Sequence, residues 1–361
     1  MKAAVLEESP GRLVISDVDV DAPGPREVLV RARAAGACHS DLHYLRGIYK
    51  ELPLPFVAGH ESAGVVEAVG SDVTYVAPGD HVVTTLPGFC GQCTKCLTGH
   101  PNLCYSESLG RGPDDPPRLR RAGEPIAQFY NISSFAEMLL LHETQVIKIP
   151  REVPLEVAAL LGCAVQTGIG SVRRTAAVPS GATVAVIGCG GIGLNVVQGA
   201  RLVGASRIIA IDRVESKLEL AREFGATDTV LAGDDAVGEV LELTDGGVDY
   251  SFEAIGLKPT AEQCLAILRP RGTATIIGMI PEGQTVEVGP WDLLTEKTLK
   301  GTDMGSVITR VDIPLYCDLY LQGRLKFDEL ISRRVKLEEI NEAYDELETG
   351  APARCVVVFD A

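Results

Sequence analysis

Cys90, Cys93, Cys96 and Cys104 lie in one short stretch, C-G-Q-C-T-K-C-L-T-G-H-P-N-L-C. Thiols gathered this closely point to a metal rather than to separate core positions. Four thiolates suit a tetrahedral zinc ion, and Gly91 and Gly99 allow the turns of a loop that wraps one. Four protein ligands leave no position for a substrate, so this zinc is structural. An iron–sulfur cluster is the rival reading, because Cys-x-x-Cys-x-x-Cys also begins a ferredoxin run. The fourth spacing departs from that run and no proline follows Cys104. A disulfide or an unliganded loop is the third possibility.

A second chemistry is written in the middle of the chain. Thr183-Val-Ala-Val-Ile is a β-branched run suited to a buried parallel strand. It leads into Gly188-Cys-Gly190-Gly191-Ile192-Gly193, then into a helical stretch from Leu194 that stops at Gly204. Arg207-Ile-Ile-Ala-Ile is the next strand, and Asp212 stands at its end. This is a full βαβ dinucleotide fingerprint. Gly188 permits the tight turn, Gly190 lets the backbone approach a pyrophosphate, and Gly193 lets the helix pack on the strand. The helix start offers free N–H groups and a favourable dipole to the phosphates. Asp212 can bind ribose hydroxyls and repel the extra phosphate of NADP, which favours NAD although Arg213 and Lys217 stand nearby.

The elements around these motifs divide the chain. Val248-Asp-Tyr-Ser-Phe and Thr273-Ala-Thr-Ile-Ile extend the parallel sheet, with a helix expected over 215–224. The nucleotide domain is expected at 165–303, and residues 1–164 with the return segment 304–361 form the other domain. The first part consists of short valine-rich segments punctuated by Gly and Pro, which suggests a β-rich domain. With 361 residues, two domains are the expectation. A net charge of −16 argues against nucleic-acid binding. No apolar run is long enough for a signal peptide or a membrane span. Ten cysteines clustered for metal binding fit a reducing compartment, with the cytoplasm as default.

The remaining chemistry is scattered, and here the chain resembles the zinc-dependent alcohol dehydrogenases of the medium-chain dehydrogenase/reductase superfamily. The carriers are G-A-C-H-S-D-L-H (36–43), G-H-E-S-A-G (59–64), the four-cysteine lobe, L-G-C-A-V-Q-T-G (161–168) and G-C-G-G-I-G (188–193). Each is modest evidence alone; all five in order and spacing are specific over nearly the whole length. The resemblance implies an α/β fold, with a doubly wound Rossmann sheet and a GroES-like catalytic domain. It implies NAD and two zinc ions per chain, and a small alcohol or aldehyde as substrate.

By the same resemblance Cys38, His60 and Cys163 bind the catalytic zinc. Two thiolates and an imidazole leave one tetrahedral position open, where the metal lowers the pKa of a bound alcohol. Ser40 and His43 match a proton relay that runs through the cofactor ribose. Asp41 matches the carboxylate that orients the histidine ligand, and Glu61 an acid beside the metal. Thr167 and Arg354 match contacts to the nicotinamide region and the pyrophosphate. His39 replaces an arginine found in many relatives, which weakens one phosphate contact. Cys189, Cys264, Cys317 and Cys355 match no ligand motif and are expected to fill space.

Substrate choice rests on Ser40, Leu86, Met279 and Asp303, the positions that match the family pocket. Leu86 in place of an aromatic and a flexible Met279 suggest medium-sized primary alcohols, including aromatic or allylic ones. Asp303 needs a partner if it faces that pocket. A thiol-dependent formaldehyde dehydrogenase is the alternative. Tyr49 stands where relatives that use glutathione carry an acid. A catalytically silent NAD-binding sensor would have lost a ligand, and Cys38, His60, Cys163 and Ser40 are all present. The polar, proline-rich stretch 111–121 is expected to be a solvated excursion. Its length resembles dimeric relatives and points to a homodimer, with a tetramer as the alternative.

Overall fold

The computed structural model describes residues 1–112, 114–350 and 354–360. They form two compact units, Met1–Cys163 with Ile308–Ala361, and Ala164–Val307. Among the described residues no single helix is long and apolar enough to cross a membrane.

The first unit is built on mainly antiparallel sheets, with Ala127–Gln128 parallel to Phe56–Val57 and Ile331–Val335 parallel to Arg354–Val358. The larger runs in the order Val146–Lys148, His81–Thr84, Glu61–Val69, Glu27–Gly36, Arg354–Val358, Ile331–Val335, with Met138–His142 also paired to Glu27–Gly36. A smaller sheet holds Ala127–Gln128, Phe56–Val57, Lys2–Leu6 and Leu13–Asp17. Alternating residues of the strand Glu27–Gly36 feed two apolar clusters. Val28, Val30 and Ala32 pack with Val5, Val66 and Leu139, while Ala35 joins Leu42, Phe56, Phe135 and Tyr344. That alternation is the two-residue period of a strand buried on both faces. Gly36 lies opposite Glu61 across the ladder, so the chain leaving one strand and the chain entering the next meet at one corner of the sheet.

The second unit is the doubly wound parallel sheet. Its strand order is Asp228–Leu231, Arg207–Asp212, Thr183–Ile187, Val248–Glu253, Leu268–Ile276, Thr298–Gly301. Every neighbouring pair is parallel. The order reverses between Thr183–Ile187 and Val248–Glu253, which opens a crevice beyond their carboxyl ends. The helix Gly191–Val203 follows the first strand and ends at Gly204, whose φ of +81° makes the left-handed cap. The helix Glu215–Phe224 follows Asp212 and buries Leu218, Ala221 and Phe224.

The stretch 111–121 differs from the solvated excursion expected of it; Pro113 lies outside the described residues. Arg111 donates to Glu27 at 2.7 Å, and Arg118 donates to Glu27 at 2.6 Å and to Leu109 O at 2.7 Å. Arg118 and Glu27 are 6% and 5% exposed. A buried carboxylate must be paired, and its two arginines come from this loop, so the loop is pinned down. Leu119–Arg121 then adds a strand against Asp19–Val20.

Candidate active site and metal centres

The corner where Gly36 faces Glu61 gathers the family ligands. Cys38 begins the helix His39–Leu45, and its backbone N–H donates to the Asp41 carboxylate at 3.2 Å, as in a capping box. His60 immediately precedes the strand Glu61–Val69, which Glu61 opens. Cys163 follows a 3₁₀ turn, Ala159–Gly162. A side chain on Gly162 would place its Cβ 2.4 Å from Thr84 O, so only glycine lets this turn close on the sheet. One donor atom from each of Cys38, His60, Glu61 and Cys163 falls within 4.8 Å of the others, and all four residues are buried.

Asp41 organises the cluster. Its Oδ1 meets His60 Nδ1 at 2.9 Å, leaving Nε2 as the ligand atom, and its Oδ2 accepts the Tyr344 hydroxyl at 2.8 Å. Burial opposes charge on His60, but the Asp41 carboxylate outweighs it and raises the imidazole well above its usual range. Cys38 is held well below the usual thiol range, first by its hydrogen bond with Cys163 and then by Arg354, against burial. Glu61 is pushed up to about 8 by burial, against the pull of Arg354. Arg354 donates to Glu61 Oε1 and to Ala37 O, both at 3.1 Å, while Glu61 Oε2 has no hydrogen-bond partner. A lowered thiol, a fixed imidazole and free converging thiols fit a zinc ion. When bound, zinc supplies a Lewis acid that makes an alcohol hydroxyl acidic near neutral pH.

The residues assigned to proton transfer lie on the adjoining helix. Ser40 Oγ is 3.3 Å from Cys38 Sγ. His43 is partly buried, packs edge-on against Tyr49 at 5.3 Å, and has a buried Nδ1 without a partner. Burial, then the positive charge of His39, lowers its pKa. Burial and the neighbouring charge thus both favour the uncharged imidazole. His39 is exposed at the first position of the helix.

The four-cysteine lobe is a second closed donor set. Sγ atoms of Cys90, Cys93, Cys96 and Cys104 lie within 4.8 Å of one another, and all are free thiols. Cys104 Sγ accepts the Cys90 N–H at 3.3 Å, Cys90 Sγ the Cys93 N–H at 3.3 Å, and Cys93 Sγ the Cys96 N–H at 3.5 Å. These N–H groups point at sulfur where thiolate charge would sit. Those of Gln92 and Cys93 lower the Cys90 thiol to about 6. Gly91 and Gly99 have φ of +76° and +84°, the turns the wrap requires.

In the second unit the glycine fingerprint fits a dinucleotide. A Cβ on Gly193 would lie 1.7 Å from Gly188 O, so helix and strand touch there. A Cβ on Gly190 would meet no protein atom within 4 Å, which leaves open space over the turn for a pyrophosphate to approach the backbone. Gly191 and Ile192 begin the helix beside it. Asp212 Oδ2 accepts the Cys189 N–H at 2.8 Å and its Oδ1 the Val214 N–H at 3.0 Å, tying the acid to the glycine turn. Arg213 is exposed and Lys217 partly buried. Thr167 is buried in the helix Ala164–Gly170, with Oγ1 3.8 Å from Met304 Sδ. Met279 and Asp303 are partly buried here, and Leu86 is partly buried in the first unit. Cys189, Cys264, Cys317 and Cys355 are buried free thiols.

Tyr344 was not visible in the sequence as a site residue. In N-E-A-Y-D-E-L it reads as one more apolar position of an amphipathic helix, and only the fold brings it to Asp41.

Comparison with known proteins agrees with this geometry. Residues 24–151 match the alcohol dehydrogenase GroES-like domain and residues 191–320 the zinc-binding dehydrogenase domain. The chain is 39% identical over 370 residues to S-(hydroxymethyl)glutathione dehydrogenase of Saccharomyces cerevisiae, covering 99% of this chain and 96% of that protein. It is 40% identical to alcohol dehydrogenase class-3 of Zea mays, with the same coverage of 99% and 96%. Among solved structures, benzyl alcohol dehydrogenase from Acinetobacter calcoaceticus has a TM-score of 0.93 at 34% identity, covering 99% of each chain. An alcohol dehydrogenase zinc-binding domain protein from Burkholderia ambifaria has a TM-score of 0.94 at 39% identity, covering 100% of this chain and 99% of that one. The protein is an NAD-dependent oxidoreductase with a structural and a catalytic zinc site. The chain belongs to the zinc-dependent alcohol dehydrogenase family of the medium-chain dehydrogenase/reductase superfamily.

Proposed function

We propose that the protein oxidises medium-sized primary alcohols, aromatic ones included, to aldehydes by hydride transfer to NAD, and runs the reverse reaction. Tyr49 carries the reading. It packs its ring edge-on against the relay histidine His43, an apolar contact where relatives that use glutathione have an acid. Arg46, the cation closing the same helix, is already engaged by Glu348 and is poorly placed to receive a carboxylate of a peptide-like cosubstrate. The fold shared with a benzyl alcohol dehydrogenase supports the same direction. Cys38, His60 and Cys163 would hold the zinc, with Asp41 fixing the imidazole. Ser40 and His43 would carry the alcohol proton outward, and Glu61 with Arg354 would balance charge behind the metal.

A thiol-dependent formaldehyde dehydrogenase is the second reading, favoured by relatives named S-(hydroxymethyl)glutathione dehydrogenase and alcohol dehydrogenase class-3. The test is NADH formation by zinc-loaded protein with ethanol, hexanol, benzyl and cinnamyl alcohol, and with formaldehyde with and without low-molecular-weight thiols. Turnover of free alcohols, lost in Cys38→Ser, supports the first reading. Turnover confined to formaldehyde plus a thiol moves the protein to the second.

We also propose a homodimer. The strand Thr298–Gly301 lies at the edge of its sheet, and Trp291, Leu293 and Leu294 beside it are 73%, 66% and 72% exposed. An open edge next to exposed apolar side chains suits a second copy of the chain. Trp291→Glu should yield monomers in sedimentation analysis; an unchanged mass would place the contact elsewhere.

A further inference from the structure

Glu253 is the fully buried acid at the carboxyl end of the strand Val248–Glu253, beside the point where the strand order reverses. It pairs with Ile187, the last residue before the glycine turn, and with Ile276 on the other side. Its Oε1 accepts the N–H of Ile255 at 3.0 Å, the N–H of Gly256 at 2.7 Å and the hydroxyl of Thr260 at 2.8 Å. Its backbone carbonyl accepts the N–H groups of Ile277 at 2.8 Å and Gly278 at 3.1 Å. Its Oε2 is buried without a partner. One residue thus ties down the loops leaving two adjacent strands.

Those loops have little room to shift. A Cβ on Gly188 would meet Ile255 Cγ1 at 2.5 Å, so Ile255 rests on the glycine turn. A Cβ on Gly256, at φ +91°, would meet Met279 O at 2.6 Å, and one on Gly278 would meet Gly256 N at 2.0 Å. Held between these contacts, Ile255 remains 46% exposed. An exposed isoleucine over the first glycine of the fingerprint, with its backbone fixed from below, is a ready-made apolar wall for the crevice. A buried carboxylate is a costly way to hold a loop unless the loop's position matters.

We propose that Glu253 is a positioning residue for NAD, whose carboxylate pins the backbone of Ile255 and Gly256 so that Ile255 forms a fixed wall of the dinucleotide crevice. The residue acts through the loop and does not touch the reacting atoms. Binding NAD to a loop already in place requires no ordering of that loop.

The experiment is NADH titration of the zinc-loaded protein by nucleotide fluorescence, with hydrogen exchange at the amides of Ile255 and Gly256. NADH itself is the probe, so the outcome is independent of which alcohol is oxidised. Freeing about one residue of backbone that binding must re-order should weaken NADH about 10-fold in Glu253→Ala, with faster exchange at both amides. Glu253→Gln presents a carbonyl oxygen to the same three donors and should bind within about 3-fold of the parent. Ile255→Ala should weaken NADH while both amides stay protected. With alcohol present, KM for NAD should rise in Glu253→Ala while kcat at saturating NAD holds. If Glu253→Ala does not fold, Thr260→Val removes one of the three donors and should show a smaller effect of the same kind. Unchanged NADH affinity in Glu253→Ala despite faster exchange would overturn the proposal. So would equal loss in Glu253→Gln, or a fall in kcat with KM for NAD unmoved.

Discussion

Tyr344→Phe removes one oxygen and tests how the catalytic donor set is held. Asp41 has two jobs: Oδ1 fixes the His60 ring at 2.9 Å, and Oδ2 is itself held by the Tyr344 hydroxyl at 2.8 Å and the Cys38 N–H at 3.2 Å. Asp41, His60 and Tyr344 are 1%, 1% and 2% exposed, so no solvent replaces a lost partner. Without the hydroxyl, Oδ2 keeps only the longer of its two bonds. A hydrogen bond to a buried charged group contributes about 1.5–3 kcal/mol. Loss of an outer partner of a metal ligand typically weakens the metal about 10–100-fold, which is about 1.4–2.8 kcal/mol and agrees with that range. Because Cys38 N–H remains, the lower end is expected: about 10-fold weaker zinc at the catalytic site, with the four-cysteine site unmoved. Competition against a chromophoric chelator reads this, with Cys38→Ser, which lacks a catalytic ligand, marking the release that belongs to the four-cysteine site. Equal weakening at both sites would mean general loosening, and unchanged affinity at both would refute the supporting role of Tyr344.

Other expectations follow from the same geometry. Burial, then the charge of His39, lowers the His43 pKa and so favours its uncharged form. His43→Ala should slow alcohol oxidation by at least about 10-fold at neutral pH and by much less at high pH, where hydroxide substitutes; a pH-independent loss removes His43 from the relay. Asp212→Gly should raise NADP use relative to NAD about 10-fold by removing the carboxylate that repels the extra phosphate; an unchanged ratio would give the choice to Arg213 and Lys217. Glu27 is held at about 2, with burial opposing and Arg111, the Gly24 N–H and Arg118 prevailing. Its folded pKa lies below its unfolded one, so its contribution is present above about pH 4.5 and fades as pH falls towards 2. Glu27→Gln should cost about 3 kcal/mol at neutral pH, and denaturant titrations should show the gap to the parent closing between about pH 4.5 and 2; a constant gap would mean the carboxylate charge is not what Arg118 requires.

What could be read in advance was whatever local sequence dictates. The strand 183–187, its glycine turn and the helix after it depend on neighbours in the chain, and the observed strand Thr183–Ile187 and helix Gly191–Val203 follow that reading. The four-cysteine lobe is likewise local. Cys38, His60 and Cys163 are different: each alone reads as a core or turn residue, and only resemblance joined them before the fold did. The loop 111–121 was misread because proline and arginine look solvated. Nothing nearby shows that Glu27, distant in sequence, is buried and needs both Arg111 and Arg118.

Tyr344 and Glu253 belong to a further class. Their side-chain types are unremarkable in their own elements, a helix face and a strand end. Their roles arise from contacts that close only after folding: Tyr344 reaches a carboxylate on another element across 303 positions of sequence. Glu253 binds residues close in sequence, yet its importance depends on Ile255 meeting Gly188 across the reversal point of the sheet. Chemistry-bearing residues are recognisable because reactions demand particular donors at particular spacings. The residues that hold them still need only be the right length and polarity in one place, and many sequences satisfy that demand. A site can therefore be found by its ligands, but how tightly it is held must be read from the side chains behind them.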